Sequence, residues 1–170
     1  KMNALVDPSM IELLYEASQA GVQVDLIVRG ACCLRSGVEG LSENIRVLSI
    51  LDRFLEHARV YYFANDGSPE TLLASGDLMP RNLDHRVEVA FPLVDPILAA
   101  EIVETLELQL ADNVKGRMLG PDGQVLRRGL NPDGPIIRSQ VRAYEYGYMR
   151  SGAGALTQKL AELRPGDQGF

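Results

Sequence analysis

The 170-residue sequence has no apolar run near the roughly 18 to 20 residues that cross a bilayer, and it does not open on a basic stretch followed by an apolar core and a small-residue cleavage site. These absences leave a cytoplasmic setting as the expectation. Only two cysteines occur, Cys32 and Cys33. Being adjacent, they cannot close an ordinary disulfide loop, and they lack the spaced partners of a zinc site, so they read as buried small residues in a reducing compartment. Positive charge is also short: the net charge of −6 argues against holding nucleic acid on a broad basic surface. Any anion must be bound locally.

What is present is the composition of a globular domain with one real core, 46% hydrophobic and 24% charged. Arg29, Arg35, Arg46, Arg53, Arg59, Arg81 and Arg86 fall in one lysine-free stretch with both histidines. A planar, permanently charged guanidinium matches phosphate oxygens better than a mobile ammonium does. Acids crowd the same stretch, among them Asp52, Glu56, Asp77 and Asp84, and on composition alone salt-bridged structure is the more economical reading.

Asp7-Pro8 predicts a helix N-terminus, with Asp7 as cap, and Gly21 marks its stop. Residues 22–28 predict a buried strand with Arg29 at its carboxyl end, the edge where open α/β sheets gather ligands. Residues 30–44 predict a long loop, residues 47–51 a strand, and Phe54-Leu55 a short apolar anchor. Residues 60–63 and 71–75 predict a hairpin around Asn65-Asp66-Gly67-Ser68-Pro69, residues 86–91 a further strand ended by Pro92, and Asp95-Pro96 a second helix reaching Ala111. Further on, a turn at 120–123 joins two short strands, 131–135 form a loop and 137–149 a helix. Residues 1–150 are expected to form one domain and 151–170 a loosely attached tail.

His57 can give or take a proton, or carry a phosphoryl group, near neutral pH. A lone histidine is more often structural, but Arg59, two positions on along an extended chain, shares its face and adds a fixed cation. A second cluster, residues 74–82 followed by Asp84 and Glu88, offers small residues for backbone approach to an anion and donors on Arg81 and Asn82. A His-x-Arg pair, then a Ser-Gly segment ending in Asn, then a strand with Glu resembles the half-site of the phospholipase D superfamily. There a His-x-Lys pair precedes Gly-Ser-x-Asn, so Arg59 and the order Ser75-Gly76 are departures.

A closer resemblance lies in Lys1-Met2-Asn3-Ala4-Leu5-Val6-Asp7-Pro8, Asp25-Leu26-Ile27-Val28-Arg29-Gly30-Ala31-Cys32-Cys33-Leu34-Arg35, Gly40-Leu41-Ser42-Glu43-Asn44-Ile45-Arg46, Arg53-Phe54-Leu55-Glu56-His57 and Met79-Pro80-Arg81-Asn82-Leu83-Asp84. In that order and spacing they resemble the C-terminal domain of bacterial polyphosphate kinase, from Lys1 through about Arg142. The resemblance implies an α/β fold, a phospholipase D-like domain with a mixed β-sheet flanked by helices. It also implies reversible transfer of the ATP γ-phosphoryl group to polyphosphate through a phosphohistidine that lies in a preceding domain. Arg29 and His57 match ATP-binding or catalytic positions of the family. With them Arg59 is expected to hold phosphate, and Arg35, Arg53, Arg81 and Asn82 are further candidates; His85 reads as structural.

Magnesium is implied for the full enzyme, with ligands outside this chain. Expected partners are ATP or ADP, inorganic polyphosphate, the upstream domains of the same enzyme and, at full length, a second copy. Nucleic acid is not among them, and membrane association of the full-length enzyme stays open. Where many family members look like Ala-Asp-Trp, this chain has Gly76-Asp77-Leu78. Lys1 opens inside a family motif with no initiator methionine before it, so the chain reads as part of something longer and is expected to be catalytically silent alone. The rivals are a phosphodiesterase or nuclease half and a non-catalytic polyphosphate-binding module.

Overall fold

The computed structural model describes residues 1–128 and 134–150. Asp7 caps the first helix, α1 (Pro8–Gln19), by accepting from the Met10 N–H at 3.0 Å, with Pro8 at the helix start. Such a cap contributes about 1 kcal/mol. The chain leaves α1 through Gly21, at φ +88°, and enters β1 (Val24–Ile27). β1 pairs in parallel with β2 (Ile45–Ile50), which pairs antiparallel with β6 (Gly116–Leu119), and β6 with β7 (Val125–Arg127). The order β1-β2-β6-β7 is a mixed sheet. A parallel pair needs a long crossover, and residues 30–44 supply it as the predicted loop.

The remaining strands make a second, antiparallel sheet: β3 (Arg59–Phe63), β4 (Glu70–Ala74) and β5 (Ala90–Pro92). β3 and β4 form the predicted hairpin, whose turn places Asn65 and Asp66 at positive φ, where short polar side chains are tolerated. Helices α2 (Pro80–His85), α3 (Pro96–Leu110, capped by Asp95) and α4 (Ser139–Arg150) complete the described residues. The α/β class and the flanking helices agree with the sequence reading, and the strands divide into two sheets.

The N-terminal segment joins those sheets. Met2 bridges Val28 in parallel, Leu5 bridges both Cys32 and Leu78, and the Val60 N–H donates to the Lys1 carbonyl at 2.9 Å. Met2, Leu5, Ile11, Leu26, Val28, Leu34, Ile45 and Val47 form the core beneath. Leu78 packs against that core, so this position is apolar filling here.

Several expectations need correction. Cys33 is exposed and Cys32 only half-buried, because the chain beside Leu5 alternates its faces. Phe54 and Leu55 are exposed, so the segment they occupy is anchored by polar contacts instead. The strand predicted over 86–91 is only Ala90–Pro92, with Val87 fully exposed. β5 is an edge strand, which tolerates proline, and the chain before it diverts Glu88 toward Ser75 and Asn82. Helix α2 was not anticipated, since six residues are too few to show a 3.6-residue period. Residues 131–133 of the expected loop, and the tail 151–170, lie outside the described residues.

Candidate functional site

Arg29 follows the last residues of β1, where its carbonyl accepts from the Ser49 hydroxyl at 3.0 Å. Gly30 comes next, and its N–H donates to the Asn3 carbonyl at 2.8 Å. A Cβ at Gly30 would stand 3.1 Å from that carbonyl, so glycine permits this close approach. Across it the Arg29 Nε–H donates to Asn3 Oδ1 at 2.7 Å.

Asn3 then turns to the second sheet. Its backbone N–H donates to Asp77 Oδ1 at 2.7 Å, and the same carboxylate accepts from Arg59 Nε at 3.0 Å and Nη2 at 3.1 Å. The Arg59 and Asp77 side chains are only 13% and 4% exposed, a planar fork closed on a carboxylate away from water. Burial alone would raise the Asp77 carboxyl, but the bonds from Arg59, Asn3 and Ala4 outweigh it and hold it below its usual range.

Arg59 Nη1 reaches back to His57, 2.9 Å from the carbonyl and 3.0 Å from Nδ1. Guanidinium is a donor only, so Nδ1 must offer its lone pair, and the neutral imidazole therefore carries its proton on Nε2. The result is one path, Arg29–Asn3–Asp77–Arg59–His57. At its ends are groups with no partner among the described residues: the Nη nitrogens of Arg29 and the Nε2–H of His57. Both are hydrogen-bond donors.

The other candidates fall elsewhere. Arg53 is exposed four residues before His57, and Arg81 is exposed on α2. Arg35 is drawn to the β6–β7 turn, its Nε–H donating to the Pro121 carbonyl at 3.1 Å and its backbone N–H to the Tyr15 hydroxyl at 2.9 Å. Asn82 is buried, and its amide NH2 donates to Glu88 Oε1 at 2.6 Å; its Oδ1 has no partner among the described residues. Glu88 also takes the Ser75 hydroxyl, and these two bonds hold its carboxyl below its usual range. The backbone approach expected at Gly76 is taken by Glu88, whose Cγ would lie 2.9 Å from a Cβ there. Tyr61, Gly76, Asp77, Asn82 and Glu88 line a shallow cavity of about 220 Å³. A larger one of about 470 Å³ lies between α3 and α4 and includes none of the predicted site residues.

Within the arginine-rich stretch, the acid pairing suggested by composition occurs at Arg59–Asp77, while Arg46 pairs with Asp25 outside it. Asn3 and Asp77 join the site without having been singled out for it. The sequence signals for them were the place of Asn3 inside a quoted motif and of Asp77 among the acids of the arginine-rich stretch. Among the described residues no group of three or more His, Cys, Asp or Glu is arranged to hold a metal ion.

Comparison with known proteins bears on this geometry. The family model "Polyphosphate kinase C-terminal domain 2" matches residues 1–140. Polyphosphate kinase 1 of Chlorobaculum tepidum is 59% identical over 143 residues, covering 84% of this chain and 20% of that protein. A polyphosphate kinase of Bacillus cereus is 48% identical over 153 residues, covering 90% of this chain and 22% of its own length. The crystal structure of polyphosphate kinase from Porphyromonas gingivalis superposes with a TM-score of 0.85 at 41% identity, covering 89% of this chain and 23% of that one. The chain thus spans about a fifth of the length of the curated relatives it matches. On this match, the protein belongs to the family of polyphosphate kinase C-terminal domains.

Proposed function

We propose that this chain supplies the assisting half of the active site of an ATP–polyphosphate phosphotransferase, a phospholipase D-like half-site facing a phosphohistidine on a preceding domain. The observation that carries the proposal is the path from Arg29 to His57, which leaves donors free at both ends. Phosphoryl transfer between two highly charged chains needs little covalent chemistry beyond a nucleophile; it needs placed donors and cations. Arg29 holds phosphate oxygens through its free Nη nitrogens. His57 presents Nε2–H to the oxygen on which charge develops as the P–O bond breaks, and orients the leaving phosphate.

Arg59 takes a different part from the one its charge suggests. Four of its contacts are already made, which leaves one N–H of the fork for a ligand. It fixes the His57 ring and tautomer. Lysine cannot close a two-point fork on Asp77, and this separates the site from a His-x-Lys phosphodiesterase half. Magnesium, where the whole enzyme uses it, would neutralise phosphate charge. The carboxylates beside His57 do not fit that ion, because Asp77 is bound by Arg59 and Asn3, and Glu56 by Lys1, Gln109 and Gln140.

The reading extends to ATP or ADP and polyphosphate as ligands and to upstream domains of the same polypeptide as partners. No helix among the described residues is long and apolar enough to cross a membrane. In a full-length enzyme carrying this domain, His57→Ala should lower both polymer growth and ATP synthesis from polyphosphate by about 10²- to 10⁴-fold. Activity near wild type in either direction would overturn the role. Nucleotide release from DNA or RNA without ATP-dependent polymer formation would point to the phosphodiesterase reading instead.

A further inference from the structure

The segment carrying His57, residues 51–58, has no regular structure and exposes Leu51, Phe54 and Leu55. Its own hydrophobic burial cannot hold it. Much of what holds it comes from three consecutive residues, Arg138 just before α4 and Ser139 and Gln140 at its start. Arg138 closes its fork on Asp52, Nε at 2.8 Å and Nη2 at 2.7 Å. Ser139 ties the helix start to the fully buried Asp112, donating from its N–H at 2.8 Å and its hydroxyl at 2.7 Å. Gln140 makes the contacts nearest His57. Its Oε1 accepts from the Phe54 N–H at 2.7 Å, and its Nε2 donates to the Phe54 carbonyl at 2.8 Å and to Glu56 Oε1 at 2.9 Å.

A side-chain amide that satisfies both backbone groups of one residue imitates a neighbouring strand. Gln140 does this while only 7% exposed, so the bonds are sheltered from exchange with water. Glu56 is then fixed from its other oxygen by Lys1 and by Gln109 Nε2 at 3.0 Å. His57 is the next residue. Its backbone is thereby set by α4 through Phe54 and Glu56, while its ring is set by Arg59 on Asp77.

We propose that Gln140 is a positioning residue for His57, a side-chain amide on α4 that fixes the backbone from which the imidazole meets the phosphoryl group. The catalytic consequence rests on the function proposed above, whereas the positioning itself does not. Displacing a reacting group by about 1 Å can cost roughly 100-fold in rate, so the clamp matters even without touching substrate.

The test uses two proteins. In the full-length enzyme, Gln140→Leu, which keeps the volume and removes the amide, should lower kcat by about 10- to 100-fold while leaving the KM for ATP within about 3-fold. In the present chain, labelled with nitrogen-15 histidine, wild type should show His57 as the Nε2–H form with Nδ1 bonded. Q140L should move those signals toward a freely exchanging imidazole. Arg142→Ala, on the same helix in an exposed pair with Glu145, should change neither. Should Q140L lose its cooperative thermal transition, Gln140→Glu serves in its place. It keeps an acceptor for the Phe54 N–H but removes both donors, and the same displacement of the His57 signals is expected. Unchanged His57 signals in a folded variant overturn the proposal. Absence of phosphotransfer in the wild-type enzyme would instead sink the functional reading, with the histidine spectra still deciding the clamp.

Discussion

The end of β1 and the start of β3 each contribute an arginine to one hydrogen-bonded path, yet Arg29 is tethered through Nε alone and Arg59 through all three of its nitrogens. The difference is one of office. On the function proposed above, a cation that takes up and releases phosphate needs an anchor that leaves its outer donors free, and Asn3, a neutral acceptor, provides that for Arg29 without cancelling its charge. A cation that must hold a histidine in one tautomer needs the opposite, a buried counter-charge and a closed fork. The count of arginines near a site therefore says less about its chemistry than which of their N–H groups remain unbound.

The comparison is most severely tested at Asp77. Asp77→Ala leaves a buried guanidinium without its counter-charge, and breaking such a pair costs about 3–5 kcal/mol. Urea melts should show this as a lower midpoint at unchanged slope. The pH dependence supplies a second arm. The ordinary Asp value is 3.8, and the folded value of Asp77 lies below it, so the unfolded chain takes up the proton first as pH falls. The stability from this group is complete above about pH 5 and is lost as the pH drops through 3.8 toward the folded value. The D77A variant should lose less stability than wild type between pH 5 and pH 3. Asp112, similarly depressed although burial alone would raise it, because Ser139 and the N–H groups of Lys115 and Gly116 bond its carboxylate, adds to the acid sensitivity that both proteins share.

A smaller effect separates the two arginines directly. In the full-length enzyme, Arg29→Ala should raise the KM for the phosphate-bearing substrates by about 10- to 100-fold, the value of a charged hydrogen bond or two, with kcat little changed. Arg59→Lys keeps the charge but not the fork, and should lower kcat by about 10-fold at near-constant KM. Steady-state kinetics with ATP and with polyphosphate distinguishes these patterns. The reverse assignment, KM moving with Arg59 and kcat with Arg29, would break the comparison.

How much of this was legible depended on the reach of each interaction. The starts of α1 and α3 were readable because Asp7-Pro8 and Asp95-Pro96 act on backbone groups within three residues, and both Asp side chains cap as expected. Arg29 could be placed at a strand end because a buried apolar run ends beside it. Asn3 and Asp77 meet across 74 positions, and Gln140 and Phe54 across 86, and no period in the sequence marks such partners. The Asn82–Glu88 bond was not readable for a local reason: the short helix α2 turns the amide onto Glu88, and side-chain type alone does not say which neighbour arrives first. Phe54 and Leu55 failed as an anchor because an apolar pair with no period around it says nothing about which side faces the protein.

The smallest expected effect isolates burial as the cause of the difference. Arg46 closes the same planar fork on Asp25, Nε at 2.6 Å and Nη2 at 2.8 Å, as Arg59 closes on Asp77. Their side chains are 66% and 33% exposed, however, and they sit on paired residues of β1 and β2 with no histidine to hold. Water competes for both partners and salt screens them, so Asp25→Asn should change stability by no more than about 0.5 kcal/mol, and less at high ionic strength. Phosphotransfer by the full-length enzyme should stay at the wild-type level. If D25N instead cost as much as D77A in the same urea melts, the fork itself would be the source of stability wherever it occurs. The buried placement of Arg59 would then no longer explain why that arginine holds His57 while Arg29 is tethered through Nε alone among the described residues.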